Sequence, residues 1–184
     1  MGDVRFTGNW NSVNAHTVPK WYEDCKFGIF IHWGIYSVPA FAPHTWELGE
    51  VDSKEWFADN PYAEWYYNSL NIGKGPTYKH HIEKYGKDFK YEDFIPMWKA
   101  ENWDPKQWAE IFKEAGAEYV VLTTKHHDGF CLFPSKYTHF NSVEMGPKRN
   151  ITGELTEAVR DAGIRIGPVL FRTDRLAVCK RSYF

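Results

Sequence analysis

Lys26-Phe27-Gly28-Ile29-Phe30-Ile31-His32-Trp33-Gly34 is the stretch on which the fold turns. Phe27, Ile29, Phe30 and Ile31 favour strand, and no polar residue alternates with them. A short apolar run of this kind predicts a strand covered on both faces, as in a parallel sheet beneath helices. The run gives way to an imidazole and an indole, His32 and Trp33, before Gly34. In parallel α/β architectures the carboxyl ends of the strands are where ligands meet the protein.

Outward from this strand the same grammar recurs. Asp104 can cap a helix and Pro105 suits its first position. Trp108, Ile111, Phe112 and Ala115 then recur at helical spacing, and Gly116 stops the helix. Tyr119-Val120-Val121-Leu122-Thr123-Thr124 reads as a second buried strand, ending in Lys125-His126-His127-Asp128-Gly129. A third unit has Thr152 as the expected cap, a stripe of Leu155, Ala158, Val159 and Ala162, a stop at Gly163 and a strand from Ile164 to Leu170. Helix, glycine stop, strand and polar end in series argue for a parallel βα architecture with right-handed crossovers.

Before the first strand, residues 1–18 read as a leader or extended arm, followed by a short helix from Lys20 to Cys25. Residues 35–60, with Pro39, Pro43 and Gly49, read as an irregular excursion. Short helices are predicted over Tyr62–Leu70, Tyr78–Tyr85 and Tyr91–Trp98, with Pro96 weakening the last. So long a connection is unusual for an α/β unit and is a common place for a binding site.

Composition narrows the function classes. Formal net charge is -2, with 22 basic and 24 acidic residues, and nothing draws the chain to nucleic acid or an acidic membrane. No apolar run is long enough to span a bilayer, and residues 1–20 carry no apolar signal core. Cys25, Cys131 and Cys179 form no CxxC pair and support neither a disulfide framework nor a cysteine zinc site. Nine Trp and eleven Tyr suit either an aromatic core or a sugar pocket, where a ring face stacks and hydroxyls bond to polar groups. Asn150-Ile151-Thr152 fits the N-glycosylation triplet, which also arises by chance.

His32, His126 and His127 all fall at strand ends, which parallel strands bring to one face. Three readings of these residues stand side by side. They could hold zinc, with Asp128 as a fourth ligand. They could recognise vicinal hydroxyls, since a neutral imidazole offers one donor and one acceptor. Or they could be hydrogen-bonded structural histidines. His126 and His127 are adjacent, so both point inward only if the backbone turns after them, as Asp128-Gly129 suggests. Glu64-Trp65 adds a carboxylate beside an indole, either a binding pair or a surface Glu next to a packed Trp. Trp33 and Trp65 are the candidates for stacking on a sugar ring.

Several long motifs, in order, resemble the catalytic domain of the alpha-L-fucosidases of glycoside hydrolase family 29. They are the stretch Trp21 to Pro39, Glu64-Trp65-Tyr66, Trp108 to Ala117, Tyr119 to Phe130, Pro134 to Tyr137, Asn141-Ser142, Gly146 to Arg149 and Gly153-Glu154-Leu155. The likeness runs over about residues 19–167. It implies the N-terminal part of a TIM-like (β/α)8 barrel, with about three parallel strands and a long helical excursion after the first. It implies retaining hydrolysis of terminal alpha-L-fucosyl residues, no cofactor, no metal, and fucosylated glycans or L-fucose as partners. His32, Glu64, Trp65, His126 and His127 would bind the sugar, with Trp33 and Asp128 as further candidates; the nucleophile Asp is expected beyond residue 184. Full-length members are expected to be lysosomal or secreted and homo-oligomeric.

After Gly167 the sequence Pro168-Val169-Leu170-Phe171-Arg172-Thr173 departs from the family pattern, and residues 171–184 form a basic tail. The expectation is a shortened product of a longer barrel gene, with residues 19–170 as a partial catalytic barrel. Independent catalysis is not expected of it. The alternatives are a non-catalytic fucose-binding fragment, an unstable product, or a genuine small three-layer domain.

Overall fold

The computed structural model describes residues 7–44, 50 and 53–171. Three parallel strands form one sheet in the order β1 (Gly28–Ile31), β2 (Tyr119–Lys125), β3 (Arg165–Leu170). Gly28 lies opposite Tyr119, and Tyr119 lies opposite Arg165, so the strands start level and finish on one face. Helices α1 (Trp10–Asn14) and α2 (Lys20–Asp24) precede β1; α3 (Ser53–Ala58), α4 (Tyr66–Ile72) and α5 (Gly75–Tyr85) fill the excursion after it. Helices α6 (Pro105–Glu114) and α7 (Ile151–Asp161) lead into β2 and β3 and pack on each other.

The strand-forming residues settle unequally. Val120 and Leu122 of β2 are buried, and with Ile35, Phe94, Ile151, Leu155 and Val159 they make the centre of the core. β2 has a neighbour on each side, which is why its apolar run is so complete. Among the described residues β1 has one neighbour, and the expectation that both its faces are covered fails: Phe30 is 54 % exposed. Ile29 and Ile31 point the other way and pack on the core. β3 is also a border strand of this sheet, so Pro168, opposite Leu122, can lack a donor without breaking a central ladder.

Local chemistry explains the helix boundaries. Asp104 Oδ1 accepts from the backbone N–H groups of Lys106 and Gln107 at 3.0 Å, as a cap should. On α6 the buried residues are Ala109 and Phe112, whereas Ile111 is exposed, so the predicted stripe is rotated toward Ala109. The α7 cap is Asn150, not Thr152: Asn150 Oδ1 accepts from Gly153 N–H at 3.0 Å, and Thr152 lies inside the helix. The same contact engages the acceptor side chain of the glycosylation triplet.

The excursion is more regular than predicted. Residues 35–60 contain a 3₁₀ turn (Ile35–Ser37) and α3, and residues 1–18 contain α1, capped by Asn9. The predicted Tyr62–Leu70 helix begins as a 3₁₀ turn (Ala63–Trp65), and Tyr91–Met97 is 3₁₀ throughout, with Pro96 inside it. Trp103 Nε1–H donates to Glu154 at 2.8 Å, and Arg149 pairs with the same carboxylate at 2.7 Å, tying the excursion to α7. Among the described residues no helix is long and apolar enough to cross a membrane. Gly49, Cys179, Trp46 and the basic tail beyond Phe171 lie outside the described residues.

Candidate functional site

The carboxyl end of the sheet carries the convergence. His32 follows the last residue of β1 and His126 follows the last residue of β2. Their ring centroids are 5.4 Å apart. His127 lies 4.9 Å from His126, because Asp128 and Gly129 turn the chain there, with Gly129 at φ 83°. That turn lets both adjacent imidazoles face one region, which a continued strand would forbid.

Glu64 and Trp65 arrive from the excursion. Asn60 Oδ1 accepts from Tyr62 N–H at 2.9 Å, and Tyr62 C=O accepts from Trp65 N–H at 3.0 Å, closing the 3₁₀ turn that presents them. This turn packs against the one at Ile35–Ser37, which directly follows His32 and Trp33. Trp65 lies 4.6 Å from His127 and 6.1 Å from His126 between ring centroids. Glu64, His32 and His126 each offer one nitrogen or oxygen within 4.8 Å of the others. The Glu64 carboxylate thus sits on a 3₁₀ turn, not on the helix predicted for it, and it faces the two imidazoles.

Electrostatics divide the group. His126 is 4 % exposed, and burial pushes its protonation midpoint down to about 3, helped by the imidazoles of His127 and His32 and by Lys125. It is therefore neutral at ordinary pH, with one donor and one acceptor. Its Nδ1 is enclosed and makes no hydrogen bond with the described residues, and the same holds for Thr123 Oγ1. Both residues line a cavity of about 10 Å³ with Trp33, Tyr36, Asp128 and Phe130. That is about the size of one water molecule.

Two expected residues do other work. Trp33 packs in an indole cluster, 5.1 Å from Trp98 and Trp103 and 5.3 Å from Trp108. Three indoles thus engage its ring as part of the aromatic core, while it still borders the small cavity beside His126. Asp128 is buried and committed: Tyr91 O–H donates to Oδ2 at 2.8 Å and Phe130 N–H donates to Oδ1 at 3.1 Å. Burial pushes its carboxyl up to about 6 despite these donors. It borders the same small cavity as His126 but is not among the ligand atoms that gather with His32, Glu64 and His126, where a three-histidine zinc site would have needed it as fourth ligand.

Two neighbours were not anticipated. Tyr36 is buried with its ring 5.7 Å from His126. Phe171 follows β3 and lies 4.9 Å from His126, 5.1 Å from His127 and 6.3 Å from His32, closing the group from the third strand. Its position at the end of a third βα unit was the available signal. The arrangement offers two imidazoles, a carboxylate and an indole around one point, which suits a small polyhydroxylated ligand with an apolar face.

Comparison with known proteins meets this geometry. A family model described as alpha-L-fucosidase matches residues 2–175. An alpha-L-fucosidase of Dictyostelium discoideum is 41 % identical over 162 residues, covering 86 % of this chain and 32 % of that protein. A human plasma alpha-L-fucosidase is 41 % identical over 159 residues, covering 86 % of this chain and 30 % of that protein. The chain therefore spans about a third of the length of the curated relatives it matches. Among solved structures, a Thermotoga maritima alpha-L-fucosynthase, in complex with alpha-L-Fuc-(1-2)-beta-L-Fuc-N3, superposes with a TM-score of 0.83 at 56 % identity. That match covers 91 % of this chain and 38 % of the other. The chain belongs to the alpha-L-fucosidase family.

Proposed function

We propose that the group at the carboxyl end of the sheet binds a terminal alpha-L-fucosyl residue, as part of the site of a retaining alpha-L-fucosidase. The observation that carries this reading is the approach of His32, Glu64 and His126 to within 4.8 Å of one another beside Trp65. Neutral His126 and the half-buried His32 supply paired donors and acceptors for adjacent hydroxyls, and Glu64 accepts from a third. Trp65 and His127 flank the pocket with flat faces for the apolar side of the sugar. The fucosyl ligand carried by the Thermotoga relative supports the same substrate class here.

In this reading residues 19–170 contribute the first strands of a (β/α)8 barrel, and Phe171, directly after β3, still belongs to the site. Retaining hydrolysis needs two carboxyl groups about 5–5.5 Å apart across the glycosidic bond. Asp128, held by Tyr91 and Phe130, does not serve as nucleophile. The nucleophile belongs to the part of the whole enzyme that lies beyond this chain, and Glu64 acts as a binder. Secretion or a lysosomal address, fucosylated glycans as partners and assembly into oligomers go with the whole enzyme.

Calorimetry of the chain with L-fucose and a chromogenic alpha-L-fucoside assay test this reading. Millimolar binding of L-fucose without turnover is expected. Absence of heat at saturating sugar overturns the binding assignment, and turnover by the chain alone overturns the placement of the nucleophile.

A further inference from the structure

We propose that His32, Glu64 and His126 also form a site for a divalent first-row transition metal, Zn²⁺ foremost, which takes the place of the sugar and is excluded by it. The donors come from three separate elements: the end of β1, the 3₁₀ turn Ala63–Trp65 and the end of β2. Each presents one ligand atom within 4.8 Å of the other two. Donors around one tetrahedral zinc lie about 3.3–3.5 Å apart, given metal–ligand bonds of about 2.0–2.2 Å. The group therefore closes on an ion by small side-chain movements. His32 and Glu64 are only half-buried and can make them, while His126 is enclosed and stays fixed.

The donor set selects the class of metal. Two imidazole nitrogens and one carboxylate are a known zinc set that leaves a position open for water. Magnesium and calcium prefer all-oxygen shells and gain little from imidazole. His126 Nδ1 makes no hydrogen bond with the described residues, so no bond at that nitrogen holds the ring in a single tautomer. Other donor pairs are poorer. Cys25 Sγ and Glu118 lie 3.2 Å apart and His139 pairs with Glu144, but neither pair has a third ligand among the described residues. The metal half of this inference stands without the fucose reading; the exclusion by sugar rests on it.

The test is calorimetric titration of the 184-residue chain with ZnCl₂ and, separately, MgCl₂. It is repeated on His32→Gln, His126→Gln and Cys25→Ser, with circular dichroism to verify folding. The expected result is one zinc per chain, no magnesium binding, at least about a tenfold loss of zinc affinity in each histidine variant, and no change in Cys25→Ser. Zinc affinity unchanged in both histidine variants, or lost in Cys25→Ser, overturns the site. If a histidine variant fails to fold, ¹⁵N spectra of the unaltered chain decide: zinc must shift the His32 and His126 ring signals, and binding that leaves them unmoved overturns the proposal. Saturating L-fucose is expected to weaken zinc binding. Sugar that binds without doing so overturns the shared site, whereas sugar that gives no heat sinks the fucose reading and leaves zinc to be judged on the variants.

Discussion

The two ends of one small sheet are built on opposite terms. At the amino end, Trp21, Tyr22 and Tyr119 meet edge to face or tilted, with centroids 5.6–6.3 Å apart, and the Arg165 guanidinium lies 4.7 Å above Trp21. Cys25 Sγ–H donates to Glu118, and Phe27 C=O accepts from Glu118 N–H at 3.0 Å. Aromatic edges, cation and thiol here have found partners within the chain. At the carboxyl end, His32, Glu64 and His126 crowd together, and buried His126 Nδ1 and Thr123 Oγ1 have no hydrogen bond with the described residues. An end whose groups satisfy one another holds the fold; an end that concentrates unsatisfied polar atoms is prepared for something from outside.

That contrast can be broken in graded ways. The largest effect is expected on binding at the carboxyl end. His126→Gln, read by calorimetry with L-fucose, should lose about 10–100-fold in affinity, the worth of one or two well-placed hydrogen bonds. The fold should survive, since the ring makes no hydrogen bond at Nδ1 within the described residues. Equal losses of binding and stability would erase the distinction between the ends.

Next comes Gly28→Ala at the amino end. A Cβ there would stand 2.1 Å from the Tyr119 ring, which crosses over the glycine from the neighbouring strand. Displacing that ring should lower unfolding free energy by about 1–3 kcal/mol. Denaturant melts would measure this, and L-fucose affinity of the folded chain should not change. Arg165→Met should lower stability by less, again without touching affinity, because it removes only the cation above Trp21.

The subtlest prediction concerns pH. His126 takes up a proton near 6.5 when unfolded but only near 3 when folded, so its contribution is present above 6.5 and is lost as pH falls. Asp128 runs the other way. Its ordinary midpoint of 3.8 is raised to about 6 in the fold, so stability is gained as pH falls through 6. Each unit of pH between folded and unfolded midpoints is worth about 1.4 kcal/mol. Between pH 6.5 and 4 the two contributions oppose one another, and the unaltered chain should show a shallow stability profile from this pair. Asp128→Asn should lose stability steeply on acidification, and His126→Gln should gain it. Parallel profiles for both variants would contradict the burial of these groups.

The parts of this design that were legible in the sequence are those set by neighbours in the chain. The Asp104–Pro105 helix start, the glycine stops and the apolar run of β2 depend on caps, backbone conformation and local periodicity. The histidines at strand ends were legible because a parallel sheet sends those ends to one face. What escaped depends on contacts across the fold. Trp33 looked like a stacking platform until three indoles, distant in sequence, claimed it. Asp128 looked free until Tyr91, 37 positions earlier, donated to it. Phe171 lay in a stretch that departs from the family pattern, and only the β2–β3 register brings it over His126. Thr152 and Asn150 are both plausible caps in sequence, and the local hydrogen bond from Gly153 N–H to Asn150 Oδ1 chooses Asn150.

Ring-nitrogen and indole NMR signals followed during an L-fucose titration test the central claim most directly. The account predicts that His32, His126 and Trp65 shift together with one saturation midpoint, while Trp21 stays still. Shifts confined to the amino end, or separate midpoints for His32 and His126, would contradict it.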